Sequence, residues 1–253
     1  MSWIAPNLQN SHNFFGSSGG FSSGVFSGLN VNPKGNEILS EWEKNIEYIA
    51  GFFDLRKKDL VLSKQGVSAN VFFVDKPSLF EFEGDGMVTD KPNIILGLRT
   101  ADCAPILLED IQSGIVGVAH AGWRGAIKGV IENTINLMLK KGASISNIAA
   151  AVGPCIAQNS YEVDENFYNF FMTENKDFNK FFITKNNKRY FDLENFCVDK
   201  LKKSGIVNVS FSGQDTYSLK ENYYSFRRFT HENKIKKNGV FATQMSAIVM
   251  KEN

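Results

Sequence analysis

The chain of 253 residues is poor in cysteine and histidine, with three of each. Its cysteines, Cys103, Cys155 and Cys197, are odd in number and widely spaced, which excludes the disulfide framework typical of small secreted proteins. A reducing compartment fits this usage best, so we expect a cytoplasmic protein. The first ten residues, MSWIAPNLQN, show no basic segment followed by an apolar one, and no secretory signal is evident.

The sequence also lacks long apolar runs and an excess of charge of either sign. No stretch approaches an uninterrupted apolar run of roughly 18 residues, so we expect no membrane span. Lysine plus arginine number 28 and aspartate plus glutamate 27, which leaves a net charge of +1. This balance gives no reason to expect nucleic acid or an anionic membrane as a partner.

What the sequence does contain is a hydrophobic content of 43%, enough for a sizeable core. Helical and strand-like patterns are mixed without regular alternation, and no linker divides the chain, which favours an α+β fold in one domain over residues 1–253. The patterns predict helices at 36–53, 167–182 and 193–203. They predict strands at 94–98, 148–152, 207–211 and 245–250, and a glycine-turned strand pair within 14–30.

The most informative stretch is 100–125, TADCAPILLEDIQSGIVGVAHAGWRG. Two apolar runs, 104–108 and 115–119, flank a polar segment and predict a hairpin of buried strands. A four-residue loop at 110–113 would place Cys103 opposite His120, with Cβ atoms about 5 Å apart. Pro105 indicates that the first strand starts there or lies at a sheet edge.

A thiol beside an imidazole is open to three interpretations. The imidazole can activate Cys103 as a nucleophile. The two side chains can share a metal such as zinc or copper. Alternatively, Cys103 is a small buried hydrophobe and His120 a hydrogen-bonded core residue.

The residues after this hairpin predict one long helix. Its apolar face would hold Ile127, Val130, Ile131, Ile135 and Met138, with Gly142 as the C-terminal cap. Because the helix would start just after His120, its first N–H groups could face the same pocket and favour an anion there.

Several motifs together resemble the multicopper polyphenol oxidase, or laccase-domain, family, whose better characterised members are purine nucleoside phosphorylases. The resemblance covers nearly the whole chain, and its most specific part is TADC followed by HAGWRG. The matching segments are Gly19-Gly20-Phe21-Ser22, Asp85, Thr100-Ala101-Asp102-Cys103, His120-Ala121-Gly122-Trp123-Arg124-Gly125, Gly153-Pro154-Cys155-Ile156, Tyr161-Glu162-Val163 and Tyr224-Ser225-Phe226-Arg227-Arg228.

This resemblance implies a single α+β domain with mixed β-sheets flanked by helices, a fold similar also to that of cysteine-dependent deamidase toxins. It also implies a metal, usually zinc, held by two histidines and a cysteine. Similar proteins phosphorolyse adenosine, inosine, guanosine and methylthioadenosine and also deaminate adenosine. Some bacterial relatives are linked to the editing of peptidoglycan precursors. The implied partners are therefore a purine nucleoside and phosphate.

Carried over by position, Cys103 and His120 match two of the family's metal ligands and are the catalytic candidates. The remaining histidine of the family falls on Val67, which cannot bind a metal, so we expect an incomplete site in which zinc is possible and copper less favoured. His12 and His231 lie far from this motif in the sequence, and we expect them on the surface or in a tail.

The resemblance implies substrate contacts at Asp85, Asp102, Arg124 and Arg228. Each also has a simpler structural interpretation, such as an Arg124 ion pair with Asp102 or Asp85, and Trp123 is expected to cap the core.

Arginines of the family that would suit phosphate are missing from this chain. Ser17, Ile46 and the pair Ala242-Thr243 stand in their places, and Asp215 replaces a late cysteine. Three functions follow: a phosphorylase or deaminase with a divergent site, a metal-independent Cys–His hydrolase such as a precursor-editing enzyme, or a catalytically reduced binding protein.

Overall fold

The computed structural model describes residues 2–34, 39–232 and 239–250. The strands in these residues are β1 (Ser11–Phe14), β2 (Leu60–Lys64), β3 (Val71–Phe73), β4 (Leu79–Glu83), β5 (Gly86–Thr89), β6 (Ile95–Thr100), β7 (Ala104–Asp110), β8 (Ile115–Ala121), β9 (Ala149–Val152), β10 (Glu162–Val163), β11 (Phe182–Lys185), β12 (Lys188–Phe191), β13 (Asn208–Phe211) and β14 (Gln244–Val249). The α-helices are α1 (Leu39–Phe52), α2 (Trp123–Lys128), α3 (Val130–Lys140), α4 (Glu165–Glu174), α5 (Leu193–Lys203) and α6 (Phe226–His231).

The strands form three sheets. A six-stranded sheet has the order β13-β9-β7-β8-β5-β3, a five-stranded sheet the order β1-β14-β6-β2-β4, and a small sheet the order β10-β12-β11. The two large sheets contain both parallel and antiparallel pairs: β7 and β8 are antiparallel, whereas β9 and β13 are parallel. This mixture confirms the predicted α+β class with mixed sheets.

The core lies in layers on both sides of the large sheets. Successive side chains of β7 point to opposite faces, so Leu107 packs between the two large sheets while Ile106 and Leu108 pack towards the helices. Helices α3 and α5 cover that outer face, and α1 contributes Trp42, Ile46 and Ile49 to the core beyond the five-stranded sheet. The described part of the chain has no helix with the length and apolarity needed to cross a bilayer.

The predicted hairpin exists, but its predicted register was wrong by two residues. The loop is 111–114, Asp110 pairs with Ile115, and Pro105 rather than Cys103 pairs with His120. Asp110 ends the strand because its Oδ1 accepts hydrogen bonds from the amides of Gln112 and Ser113. Gly114, at φ 62, supplies the left-handed residue of the turn. β7 is also a central strand, and Pro105 is tolerated there because it lies at the strand's start.

The long helix predicted after the hairpin is two helices. Gly129 adopts φ 95, a left-handed conformation that ends α2 and precedes α3. The expected apolar face is confirmed for Val130, Ile131, Ile135 and Met138, which are buried, whereas Ile127 is only partly buried.

Most other elements lie close to their predicted positions. The helix at 193–203 matches α5, and the strands at 94–98, 148–152, 207–211 and 245–250 match β6, β9, β13 and β14 within two residues. The segment 167–182 divides into α4 and a 3₁₀ helix, Lys176–Phe181. Within 14–30 a single bridge joins Ser22 and Gly28. The first residues of the helix predicted at 36–53 lie outside the described residues.

Candidate active site

His120, near the end of β8, is fixed by a buried carboxylate. Its Nδ1 lies 2.7 Å from Oδ1 of Asp85, and its backbone N–H donates to the Asp85 carbonyl oxygen at 2.7 Å. Asp85 is fully buried and His120 is 7% exposed. Because Nδ1 is committed to the ionised carboxylate, Nε2 is the nitrogen that remains for chemistry.

The carboxylate of Asp85 is itself saturated by the loop that precedes β3. It accepts hydrogen bonds from the amides of Gly66, Val67 and Ser68 and from the Ser68 hydroxyl. Burial alone would raise the pKa of Asp85, but its bonds to His120 and Ser68 outweigh burial and lower this pKa to about 2. Asp85 therefore holds His120 in place rather than facing the cavity, and its predicted substrate contact stays a prediction.

Cys103 and His120 come together although the hairpin register was wrong. Cys103 lies just before β7, one step beyond the end of the strand pair, and is diagonal rather than opposite to His120. Burial opposes a charge on the imidazole, but the negative form of Cys103 and the bond to Asp85 raise the pKa of His120 to about 9. His120 is therefore an imidazolium at neutral pH, with Cys103 on one side and Asp85 on the other.

Val67, which the resemblance aligns with the family's third metal ligand, lies beside this pair. A Cβ placed on Gly122 would lie 2.9 Å from the Cys103 sulfur and 3.6 Å from a Val67 methyl group. Val67 has φ 59, an unfavourable conformation for a β-branched residue.

The side chains present do not fit a three-ligand zinc site. Val67 offers no donor atom, and the oxygens of Asp85 are occupied. Within the described ranges, no three histidine, cysteine, aspartate or glutamate residues are grouped so that they could hold a metal.

Asp102 and Arg228 make their polar contacts inside the protein. Asp102 accepts from the Thr216 hydroxyl at 2.7 Å and from the Arg227 amide at 2.7 Å. Burial raises the pKa of Asp102, which these bonds partly offset. The Arg228 guanidinium donates to the carbonyl oxygens of Thr216, Tyr217 and Tyr223. These contacts favour a structural role for Asp102 and Arg228, and substrate binding by either residue stays a prediction.

Arg124 lies on a different cavity from Cys103 and His120. Its guanidinium stacks 4.2 Å from the centre of the Trp123 ring. The carboxylates of Asp85 and Asp102 bond instead to His120, Thr216 and the Arg227 amide. Trp123 packs against Phe167 and Phe171, which agrees with its expected core role. This second cavity, of about 440 Å³, is bordered also by Arg227.

The cavity that contains Cys103, His120 and Val67 has a volume of about 890 Å³ and is largely apolar. Phe226 and Phe241 form part of its wall, with ring centres 4.8 Å apart. Sequence analysis missed Phe80 and Arg99, which also line it, because they belong to no recognised motif.

Neither remaining histidine reaches this cavity. His12 was expected on the surface, but it is buried on β1, where Nε2 accepts from the Ala5 amide and Nδ1 contacts the Asn10 carbonyl oxygen. His231 is exposed at the end of α6 and contacts the Tyr217 hydroxyl.

Comparison with known proteins agrees with the motifs. The family model of the multi-copper polyphenol oxidoreductase laccase matches residues 11–251. A purine nucleoside phosphorylase of Rickettsia prowazekii is 38% identical over 200 residues, which are 78% of this chain and 82% of that protein. An adenosine deaminase of an unknown prokaryotic organism is 39% identical over 116 residues, 42% of this chain and 44% of that protein.

A solved structure supports the same fold. The Neisseria meningitidis protein NMB0706 superposes with a TM-score of 0.83 at 24% identity, covering 100% of this chain and 99% of that chain. The chain belongs to the multi-copper polyphenol oxidoreductase laccase family.

Proposed function

We propose that this chain is an enzyme that cleaves purine nucleosides with phosphate, as the name of its Rickettsia relative indicates. The observation that carries this proposal is that His120, bonded to the buried Asp85, lies with Cys103 on the wall of a large apolar cavity. The aromatic pair Phe226–Phe241 in that wall suits a flat ring such as a purine. The ribose would then lie towards His120.

His120 would serve as the general acid. In phosphorolysis, a phosphate oxygen forms a bond to the anomeric carbon of the ribose while the bond from that carbon to the purine nitrogen breaks. The electron pair stays on the purine, and Nε2–H of the His120 imidazolium donates its proton to a ring nitrogen. Asp85 keeps the imidazole oriented and charged until this transfer.

A resident metal has no part in this proposal. Zinc is the metal that the family implies. Cys103 and His120 could bind it, but Val67 stands in place of the third ligand and has no donor atom. Two protein ligands would hold zinc weakly. Adenosine deamination, the activity named for another relative, would be measured in the same assays as a second reaction.

A metal-independent hydrolase is the second candidate, and the geometry of Cys103 favours it. A thiol beside an imidazolium that is held by a buried carboxylate is the arrangement of cysteine hydrolases. The Cys103 sulfur would then attack an amide carbonyl, and His120 would protonate the leaving nitrogen. Such chemistry needs no phosphate.

The deciding experiment screens purine nucleosides with and without phosphate, using wild type, Cys103→Ala and His120→Gln. The proposal expects free purine only with phosphate and a loss of at least about 100-fold in His120→Gln. Cys103→Ala separates the two candidate functions. A hydrolase should lose its activity, because Cys103 would be its nucleophile. A phosphorylase should retain activity, because Cys103 would only be a neighbour of the acid His120. Absence of phosphate-dependent purine release from every nucleoside would contradict the proposal.

We also propose a cytoplasmic location. All three cysteines are free thiols, as expected of a reducing compartment. Cell fractionation with an antibody against the chain would test it.

A further inference from the structure

Arg99 is a partly buried cation on the wall of the cavity that holds Cys103 and His120. It lies near the end of β6, four positions before Cys103. Its Nε is buried and has no hydrogen-bond partner in the described part of the protein. Its Nη2 lies 3.4 Å from the Ser63 carbonyl oxygen, which is a long contact. The guanidinium has five N–H donors. These contacts therefore leave part of its hydrogen-bonding capacity unsatisfied.

No carboxylate of the described residues neutralises this arginine. Its pKa is lowered to about 10 by burial, and no acidic neighbour offsets that effect. The residues that line the cavity in the described ranges include Lys34, Lys64 and Arg99, but no aspartate or glutamate. A buried charge without a partner is costly. An anion that enters the cavity would remove this cost.

Contacts from neighbouring residues hold Arg99 in this position. The side-chain amide of Gln65 donates to the Arg99 carbonyl oxygen at 2.8 Å and accepts from the Arg99 amide at 2.9 Å. The ring of Phe80 lies 5.0 Å from the guanidinium carbon. Phe80 has φ 61, a strained conformation for a bulky residue, and such strain concentrates at functional sites.

We propose that Arg99 is the oxyanion-binding residue of this cavity and that it holds the phosphate consumed in the reaction. The guanidinium fork matches two oxygens of a phosphate group, and Lys34 adds positive charge at the rim. Arg99 thereby replaces the family arginines whose positions carry Ser17, Ile46 and Ala242-Thr243. The choice of phosphate over a carboxylate rests on the proposed function.

The test compares Arg99→Gln and Arg99→Lys with Arg189→Gln. Arg189 is a matched control because it is also partly buried and stacks on an aromatic ring, Tyr168, but it has a carboxylate partner, Glu165. Binding of inorganic phosphate and of acetate is measured by calorimetry at constant ionic strength. Melting temperatures with and without each anion provide a second readout.

Wild type and Arg189→Gln are expected to bind phosphate equally. Arg99→Gln should bind it at least tenfold more weakly, with Arg99→Lys between them. Without any anion, Arg99→Gln should melt no lower than wild type, because it loses an unpaired cation. Equal phosphate affinity in wild type and folded Arg99→Gln would overturn the proposal. Arg99-dependent binding that prefers acetate would overturn the assignment to phosphate.

The outcome is separable from that of the proposed function. Phosphate binding that depends on Arg99 in a protein that cleaves no nucleoside would support the subsite and contradict the phosphorylase proposal. Phosphorolysis whose KM for phosphate is the same in wild type and Arg99→Gln would support the phosphorylase and overturn the subsite.

Discussion

Val67 stands where the motif resemblance predicts a metal-binding histidine, and its backbone is strained there at φ 59. It lies next to Cys103 across the small space beside Gly122. Histidine adopts positive φ more readily than a β-branched residue does. A histidine at this position would therefore be compatible with the local backbone and could complete a three-ligand site with Cys103 and His120.

We expect Val67→His to bind about one zinc per chain that survives dialysis against a weak chelator, because three protein ligands suffice for a stable zinc site. Wild type and the control Val67→Ala should retain far less. Elemental analysis of the purified proteins measures this. Equal zinc content in wild type and Val67→His would show that the position does not determine metal binding.

The partnership of Asp85 and His120 predicts a pH effect. The pKa of His120 is about 9, above the ordinary value of 6.5, so the imidazolium is present at lower pH and is lost as the pH rises through about 9. A reaction that needs His120 as an acid should therefore fall off above this pH. Besides Cys103, Asp85 raises this pKa, so Asp85→Asn should move the fall to lower pH by about 1 unit.

The pH–rate profiles of wild type and Asp85→Asn measure this shift. Asp199→Asn is the control, because Asp199 pairs with Lys180 and Lys203 away from the cavity. An unchanged alkaline limb in Asp85→Asn would show that Asp85 does not set the charge of His120.

At the scale of elements, Gly129 separates α2 from α3. Its φ of 95 is costly for any residue with a Cβ, so Gly129→Ala should destabilise the protein by about 1–2 kcal/mol. Gly51 is the matched control: it lies within α1, and a Cβ there would meet open space. Gly51→Ala should stabilise by roughly 0.5–1 kcal/mol. Urea unfolding measures both values, and a shift of the same sign in both variants would contradict the account.

The elements were predictable where a pattern was local and long. The helix at 193–203 was found because its apolar period and the following Gly205 both indicate it. The hairpin register was missed because the sequence does not show whether Asp110 or Gly114 belongs to the loop. The break at Gly129 was missed because Ile127 and Val130 continue a helical period across it. A single glycine decides each of these local structures.

Within the site, the sequence could not show which residues far apart along the chain lie close together in the fold. Motif resemblance singled out Cys103, His120 and Asp85, but not that Asp85 is the direct partner of His120. Arg99 belongs to no recognised motif, and its significance is visible only in the structure, as a cation with no anionic partner among the described residues of the cavity wall. The contacts of Arg228 with backbone carbonyl oxygens could not be predicted for the same reason, because they depend on the fold and not on a local pattern.

At the scale of the whole molecule, one layered core joins segments from both halves of the chain. β14 pairs with β1 and with β6, and β9 pairs with β7 and with β13. Sequence patterns indicated the mixture of helices and strands. These strand pairs, however, join residues that are far apart in the sequence, and no local pattern predicts them. The site lies where β6 and β8 end and β7 begins, so it depends on this assembly.

That residues 1–253 form one domain stays a prediction. Because both termini contribute to the same sheet, we expect a single unfolding transition with equal calorimetric and van't Hoff enthalpies. Gly129→Ala should shift the whole transition rather than split it. Two separable transitions in scanning calorimetry would contradict a single domain.

Cys103, His120 and Asp85 are expected to act without a resident metal. The most direct test is the rate of phosphate-dependent purine release by wild type before and after removal of metal with a strong chelator. We expect the same rate in both samples, with zinc well below one per chain in the second. A rate that disappears with the metal and returns with one equivalent of zinc would contradict it.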